Sequence, residues 1–250
     1  MIINILTQFP EMFSPVLGQS IIGRAADSGI LDIRIFNIRD YSTDKHRKTD
    51  DTPFGGGAGM IMTPQPAFDC LKAAGAEGGR IIYMSPRGPV LNREIAESLA
   101  SEDEIFILCG HYEGVDQRIL DAWNIEELSI GDYVLTGGEL AAMVVIDVFA
   151  RLIPGVLGSS ESLNEESIYS GLLEYPQYTK PRVYEGFEVP ELLFNGNHRL
   201  IRLWQFEASL RLTKERRPDL FEKYIQAPPR LDKDEKKILA AVLNEELSAL

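Results

Sequence analysis

The sequence predicts an α/β fold with a mostly parallel central sheet, followed by a small all-helical C-terminal domain. Three observations carry this. Short bounded runs rich in Ile alternate with stretches of helical apolar spacing through the first 150 residues, the pattern of strand–helix–strand units. Two of the runs are apolar throughout rather than alternating, as strands covered on both faces are. Beyond about residue 170, a proline-punctuated segment gives way to amphipathic helical periodicity.

The elements follow in order. Ile2-Ile3-Asn4-Ile5-Leu6 reads as a buried strand, and Ser14 to Ala26 as a helix. Leu31-Asp32-Ile33-Arg34-Ile35-Phe36 alternates with period two, so it reads as a half-exposed strand. Pro64 to Ala74 has helical spacing. Arg80-Ile81-Ile82-Tyr83-Met84 and Glu104-Ile105-Phe106-Ile107-Leu108-Cys109 read as interior strands, with a helix over Leu91 to Ala100 between them and another over Val115 to Trp123. Gly138 to Leu152 is apolar nearly all round, which predicts a buried helix ended by Pro154-Gly155. Gly158 to Asn164 is polar and reads as a mobile linker. Asn197 is placed to cap a helix carrying Ile201, Trp204 and Leu210, and Pro218 fits the first turn of the next. Asp232 to Leu250 reads as a last amphipathic helix, with Ile238, Leu239, Val242, Leu243 and Leu247 on one side.

The bulk properties are those of a globular protein. A chain of 250 residues can bury a sizeable core, and 44% hydrophobic with 25% charged residues excludes a wholly disordered chain. No run approaches the ~18 apolar residues of a membrane span. Met1 to Leu6 has no basic n-region, so no signal peptide is expected. Cys70 and Cys109 form no metal-ligand spacing or disulfide framework, and a cytoplasmic protein is expected. The net charge of -13 argues, taken alone, against a nucleic-acid partner. Its distribution removes that objection. Glu94 to Asp147 holds 13 acids and one base, Arg118, leaving -1 for the rest of the chain. Arg199 to Arg217 carries six bases and two acids, and Lys45, Arg47 and Lys48 make a second basic spot. These runs read either as solvated faces or as phosphate-binding surface.

Four glycine-bearing segments carry chemistry. Phe54-Gly55-Gly56-Gly57-Ala58-Gly59-Met60 has neither the spacing of a dinucleotide fingerprint nor the Gly-Lys-Ser/Thr of a P-loop. It reads as a flexible loop or as one that packs against a phosphate or base. The other three are Ser85 to Pro89, Cys109 to Asp116, and Ser129 to Glu139. In an open parallel sheet, ligands bind beyond the carboxyl ends of the strands, so these loops can converge on one small molecule. Their backbone groups suit an uncharged ring better than a polyphosphate.

These loops resemble the bacterial tRNA (guanine-N1)-methyltransferase family, of the SPOUT class of trefoil-knot methyltransferases. Four stretches carry the resemblance: Asp51-Thr52-Pro53-Phe54-Gly55-Gly56-Gly57-Ala58-Gly59-Met60, Gly110-His111-Tyr112-Glu113-Gly114-Val115-Asp116-Gln117-Arg118, Gly131-Asp132-Tyr133-Val134-Leu135-Thr136-Gly137-Gly138-Glu139, and Gly171-Leu172-Leu173-Glu174-Tyr175-Pro176-Gln177-Tyr178-Thr179-Lys180-Pro181. The resemblance implies a deep knot around the loops after Tyr83, Cys109 and Ile130, a rare exception to unthreaded topology. It implies a knotted S-adenosylmethionine-binding domain over 1–157, a flexible linker over 158–170 and a helical tRNA-binding domain over 171–250.

The reaction it implies is methyl transfer from S-adenosylmethionine to N1 of the guanine immediately 3′ of the anticodon. The implied cofactor contacts are Tyr83, Met84, Ser85, Pro86, Gly110, Tyr112, Glu113, Gly114, Ile130, Gly131, Tyr133, Leu135, Gly137 and Gly138. The implied catalytic pair is Arg151, stabilising charge on the base, and Glu166 as general base. The family has Asp before Ser where this chain has Glu166-Ser167, so the carboxylate stands one methylene further out; Glu165 is the fallback. Glu174, where many relatives carry Asp, is expected to face RNA or orient a partner. RNA contacts are expected from Lys45, Arg47, Lys180, Arg182, His198, Arg199, Arg202, Arg216 and Arg217. A homodimer with a shared active site and a dependence on Mg2+ are also implied, with Glu113 as a weak candidate ligand. The alternatives are a methyltransferase for a small molecule and a non-catalytic RNA-binding module.

Overall fold

Strand β1 (Ile2–Thr7) lies inside a parallel sheet, between the edge strand β2 (Asp32–Asn37) on one side and a later strand on the other. A two-residue ladder, β3 (Asp50–Asp51) with β4 (Ile61–Met62), stands apart from the sheet. Strands β5 (Arg80–Met84), β6 (Glu104–Leu108) and β7 (Glu126–Leu128) complete the order β2-β1-β6-β5-β7, all pairs parallel. This computed structural model describes residues 1–157 and 168–244. The chain divides into two compact units, Met1–Gly158 and Ser159–Leu250.

The all-apolar runs have a direct physical cause. Successive side chains of β6 point to opposite faces. Ile105 and Ile107 enter a core with Ile3, Ile5, Ile82 and helix residues Ala96, Leu99 and Ile146. Phe106 and Leu108 enter a second core with Leu6, Cys70, Leu71, Ile81 and Ile119. Both faces are therefore dry from Ile105 to Leu108, and the strand's one polar residue, Glu104, stands half-buried at its start. The helices supplying these layers are α1 (Ser14–Leu17), α2 (Ser20–Asp27), α3 (Pro64–Ala74), α4 (Arg93–Ala100), α5 (Gln117–Trp123) and α6 (Glu139–Ala150). Asn92 caps α4 by accepting from the Ile95 N–H at 2.9 Å, and Gly75 ends α3 in the left-handed conformation. Cys70 and Cys109 are wholly buried; burial pushes the Cys70 thiol up to about 12 and raises the Cys109 thiol well above its ordinary value, so neither is a nucleophile at neutral pH.

Several elements differ from the sequence expectation. The helix expected over Ser14 to Ala26 is broken into α1 and α2. The break lies where two glycines approach each other: a Cβ on Gly23 would stand 2.5 Å from the Gly18 carbonyl. The α6 helix is not buried all round, since Leu140 and Val144, one turn apart, are 49% and 45% exposed. Strand β7 has no apolar run to announce it. Its Glu126 and Glu127 are held by Arg80 and Arg87 at 3.0 and 2.8 Å, which lets an acidic strand close the sheet edge.

The second unit holds α7 (His198–Arg216), α8 (Pro218–Gln226) and α9 (Lys233–Asn244) around Leu172, Leu210, Phe221, Tyr224 and Val242. Asn197 caps α7 by accepting from the Leu200 N–H, and Pro218 opens α8. The Lys214 ammonium donates to the Val242 carbonyl at 2.7 Å, tying α7 to α9. The expectation of an all-helical domain is corrected by a small hairpin, β8 (Val183–Tyr184) with β9 (Phe187–Glu188). Residues 158–167 and 245–250, with the linker and the last turn expected there, lie outside the described residues. Among those described, no helix is long and apolar enough to cross a membrane.

Candidate functional site

The carboxyl ends of β5, β6 and β7 open into one cleft of about 200 Å³. Three chain segments form it, and hydrogen bonds lock them together. The Ser85 N–H donates to the Leu128 carbonyl at 2.9 Å, and the Gly138 N–H donates to the Gly110 carbonyl at 2.8 Å. Within the third segment, Ser129 Oγ donates to the Gly131 carbonyl and accepts from its N–H, both at 3.1 Å, and the Tyr133 hydroxyl donates to the Ile130 carbonyl. The Gly55–Gly59 loop docks on the same region. The Glu113 N–H donates to the Met60 carbonyl at 3.0 Å, and a Cβ on Gly59 would strike the Glu113 side chain.

Glycine is required where the walls touch. A Cβ on Gly110 would stand 2.6 Å from the ring of Tyr83, and one on Gly138 would stand 3.0 Å from Cys109 Cα. Gly131 has φ +148°, a conformation L side chains rarely adopt. Tyr83 itself is buried, and burial raises its phenol above the ordinary value, so it stays a neutral wall. Tyr133, Val134 and Leu135 are exposed apolar rim. Among the described residues, the lining holds no lysine or arginine, and Glu113 is its one carboxylate. Such walls suit a planar, uncharged heterocycle read by backbone groups, with room for a small polar tail.

Every cofactor candidate named from the sequence lines this cleft: Tyr83 to Pro86, Gly110, Tyr112, Glu113, Gly114, Ile130, Gly131, Tyr133, Leu135, Gly137 and Gly138. The structure adds His111, Leu128, Ser129, Val134, Thr136 and Ala141. His111, Val134 and Thr136 lie between the glycines, and a loop that wraps a ligand presents its intervening residues too; Leu128, Ser129 and Ala141 belong to the flanking element ends.

Of the catalytic candidates, Arg151 does not line the cleft. Arg151 is half-buried at the C-cap of α6, whereas the cleft touches the other end of that helix at Gly138 and Ala141. At 1.5 Å per residue, the two ends are roughly 20 Å apart along the axis. Glu165 and Glu166 lie outside the described residues. No group of three His, Cys, Asp or Glu that could hold a metal ion occurs among the described residues. Glu113 alone is no cage, so the described residues do not fit the expected Mg2+.

The basic candidates are exposed but partly engaged. Arg47 pairs with Asp40 at 2.9 Å, and Arg182 lies over the Phe194 ring at 4.5 Å. Arg199 pairs with Asp234, and Arg202 with Asp232 at 2.8 Å. Arg217 pairs with Asp219 at 2.7 Å, holding that carboxyl down to about 2. Lys45, Lys180, His198 and Arg216 are exposed. The local excess of positive charge in Arg199 to Arg217 is thus offset in space by acids from beyond it. Glu174 accepts from the Gln177 amide.

Comparison with known proteins gives the lineage. The family described as tRNA (Guanine-1)-methyltransferase TrmD matches residues 1–223. A relative from Clostridium perfringens (strain SM101 / Type A) is 54% identical over 238 residues, 95% of this chain and 98% of its own. One from Alkaliphilus oremlandii is 54% identical over 233 residues, covering 90% and 94%. One from Clostridioides difficile is 52% identical over 224 residues, covering 88% and 97%. Each carries the name tRNA (guanine-N(1)-)-methyltransferase. With a match over most of its length and identities of this size, the chain belongs to the tRNA (guanine-1)-methyltransferase family.

Proposed function

We propose that this chain methylates N1 of the guanine immediately 3′ of the anticodon in tRNA, with S-adenosylmethionine as donor. The observation that carries it is the glycine-walled cleft beyond β5, β6 and β7, in a chain whose relatives are named for that chemistry. The cleft fits the donor by its donor set. The carbonyl oxygen of Gly110, with a second lone pair beyond its bond within the wall, can accept from an adenine amino group, while Tyr83 and Tyr133 bracket the region with aromatic surface. Bound S-adenosylmethionine supplies an electrophilic methyl group on a sulfonium, whose sulfur keeps the bonding pair as the methyl leaves.

The chain must then prepare the guanine. N1 carries a proton at neutral pH, so its lone pair becomes available as that proton departs. The Glu166 carboxylate takes the proton, and the Arg151 guanidinium balances the negative charge that spreads to O6. N1 closes on the methyl carbon. The proton leaves on Glu166 and passes to solvent.

Arg151 stands too far along α6 to serve the cleft of its own chain, which favours a site shared between two copies. The exposed Leu140 and Val144 give α6 an apolar stripe for a partner copy to cover. Sedimentation is expected to report twice the 28.0 kDa chain mass; a monomer would separate Arg151 from the reaction. The knot is inferred from the interlocked loops after β5, β6 and β7, and chain tracing in a crystal of the donor complex decides it, since an unthreaded path removes it. The second unit, with Arg216, Lys180 and His198 exposed, is the inferred tRNA-binding part, and the cytoplasm, where tRNA resides, the inferred location.

The test is direct. With methyl-labelled S-adenosylmethionine, label is expected to enter a tRNA transcript bearing guanine after the anticodon, and not one bearing adenine there. Equal labelling of both would defeat the position assigned.

A further inference from the structure

A buried polar row stands directly behind the cleft wall, and the proposed reaction makes no use of it. Glu139 opens α6 and is only 2% exposed. Its Oε1 accepts a hydrogen bond from the fully buried Thr7 hydroxyl at 2.8 Å. Its Oε2 lies 3.9 Å from Nδ1 of His111. That ring nitrogen is buried and has no hydrogen-bond partner among the described residues. The imidazole is held on two sides, by Phe9 at 4.8 Å and by Tyr112 at 5.0 Å between ring centroids. Gly137 completes the arrangement. Its backbone bridges to that of His111, and the place its Cβ would occupy is filled by Glu139 Oε2 and, at 2.6 Å, by His111 Nδ1. Both His111 and Gly137 line the cleft, whereas Glu139 does not.

We infer that Glu139 is a positioning residue of the cofactor cleft: it holds His111 in the tautomer protonated at Nδ1, and the pair seats Gly137 in the cleft wall. A carboxylate only accepts hydrogen bonds, so the buried nitrogen that faces it must carry the proton. The opposite tautomer would set one lone pair against another in a dry site, at the cost of an unmade hydrogen bond. The separation is longer than a hydrogen bond. Pressure from a ligand on the Gly137–Gly138 wall closes it, as hydrogen bonds in empty sites commonly tighten on occupation. The row thus links Thr7, at the carboxyl end of β1, to the glycines of the cleft wall. The affinity part of this inference rests on the proposed identity of the cofactor; the tautomer part does not.

The full chain, labelled with 15N, provides the test. It has three histidines, His46, His111 and His198, so the imidazole signals are few, and a His111→Phe variant identifies the one at issue. In the unmutated protein His111 is expected to show a proton on Nδ1. Glu139→Gln keeps an oxygen for Thr7 but turns an amide N–H toward the imidazole. It is expected to move the proton to Nε2 and to weaken S-adenosylmethionine binding on the order of tenfold by calorimetry. His111→Phe is expected to weaken binding similarly, and the double variant no further, because the two groups act as one. If Glu139→Gln does not fold, the unmutated spectrum and the His111→Phe affinity still decide. A proton on Nε2 in the unmutated protein overturns the inference, as does unchanged affinity in a folded variant. Failure of the unmutated protein to bind S-adenosylmethionine overturns the cofactor reading instead, while the tautomer spectrum still judges Glu139.

Discussion

Replacing Glu166 with glutamine is expected to lower the methylation rate by a factor of about 10²–10⁴ and to leave S-adenosylmethionine binding unchanged, the signature of a lost general base in the proposed reaction. Glutamine matches glutamate in size and retains an acceptor oxygen, so it can still meet the N1–H of guanine. It cannot take the proton, and methylation of N1 with the proton in place would leave the base a cation. The effect therefore belongs in kcat rather than in affinity for the donor. Glu165→Gln is the control and retains most of the rate. Single-turnover rates with donor and tRNA both saturating measure the effect. Near-normal turnover in Glu166→Gln together with loss in Glu165→Gln would move the role by one residue; loss in neither would remove the linker from the chemistry.

Gly88→Ala has the largest expected effect on the folded state and acts on the cleft from behind. Its Cβ would strike the Glu127 carbonyl and stand 2.5 Å from Leu128 N, both backbone atoms of β7. Backbone there cannot yield, because Ser85 N–H is bonded to the Leu128 carbonyl, Ser129 N–H to the Pro89 carbonyl and Leu91 N–H to the Ser129 carbonyl, all within 3.0 Å. The added methyl pries β7 from the Ser85–Leu91 segment and drags the third cleft wall with it. Overpacking of this kind costs about 1–3 kcal/mol, or more where the neighbours are fixed. Donor binding is lost along with the stability, since Ile130, Gly131 and Tyr133 follow β7. Urea denaturation and calorimetry read the two effects; a variant with normal midpoint and normal affinity would show that the loop accommodates the methyl.

What was legible in the sequence follows from how local its cause is. Strands β1, β5 and β6 are readable because two-sided burial writes runs that are apolar apart from Asn4 and Thr7 in β1 and the first residue of β5 and of β6. Strand β7 is not, because what permits Glu126 and Glu127 at the edge is Arg80 and Arg87, more than a turn of sequence away. The helix break after α1 is a meeting of Gly18 with Gly23, invisible to spacing rules that see only apolar periodicity. The place of the cleft was readable because close wall contacts demand glycine, and glycine is visible, but its individual contacts came from the family resemblance, and six lining residues, His111 among them, were not named. The Glu139 row was not, since Thr7 and Glu139 are 132 residues apart and neither is unusual locally. The basic run over Arg199 to Arg217 was legible as charge, but its partners Asp232 and Asp234 arrive from a different helix end, so a local count overstated the free positive surface.

The measurement that tests the account most directly is the identity of the product. The purified chain is incubated with S-adenosylmethionine and an unmodified tRNA bearing guanine after the anticodon, the tRNA is digested to nucleosides, and the products are resolved by chromatography and mass. The account predicts 1-methylguanosine, at most one per tRNA, mapped to that position. Recovery of unmodified tRNA, or of a methyl group on any other atom or position, would contradict it.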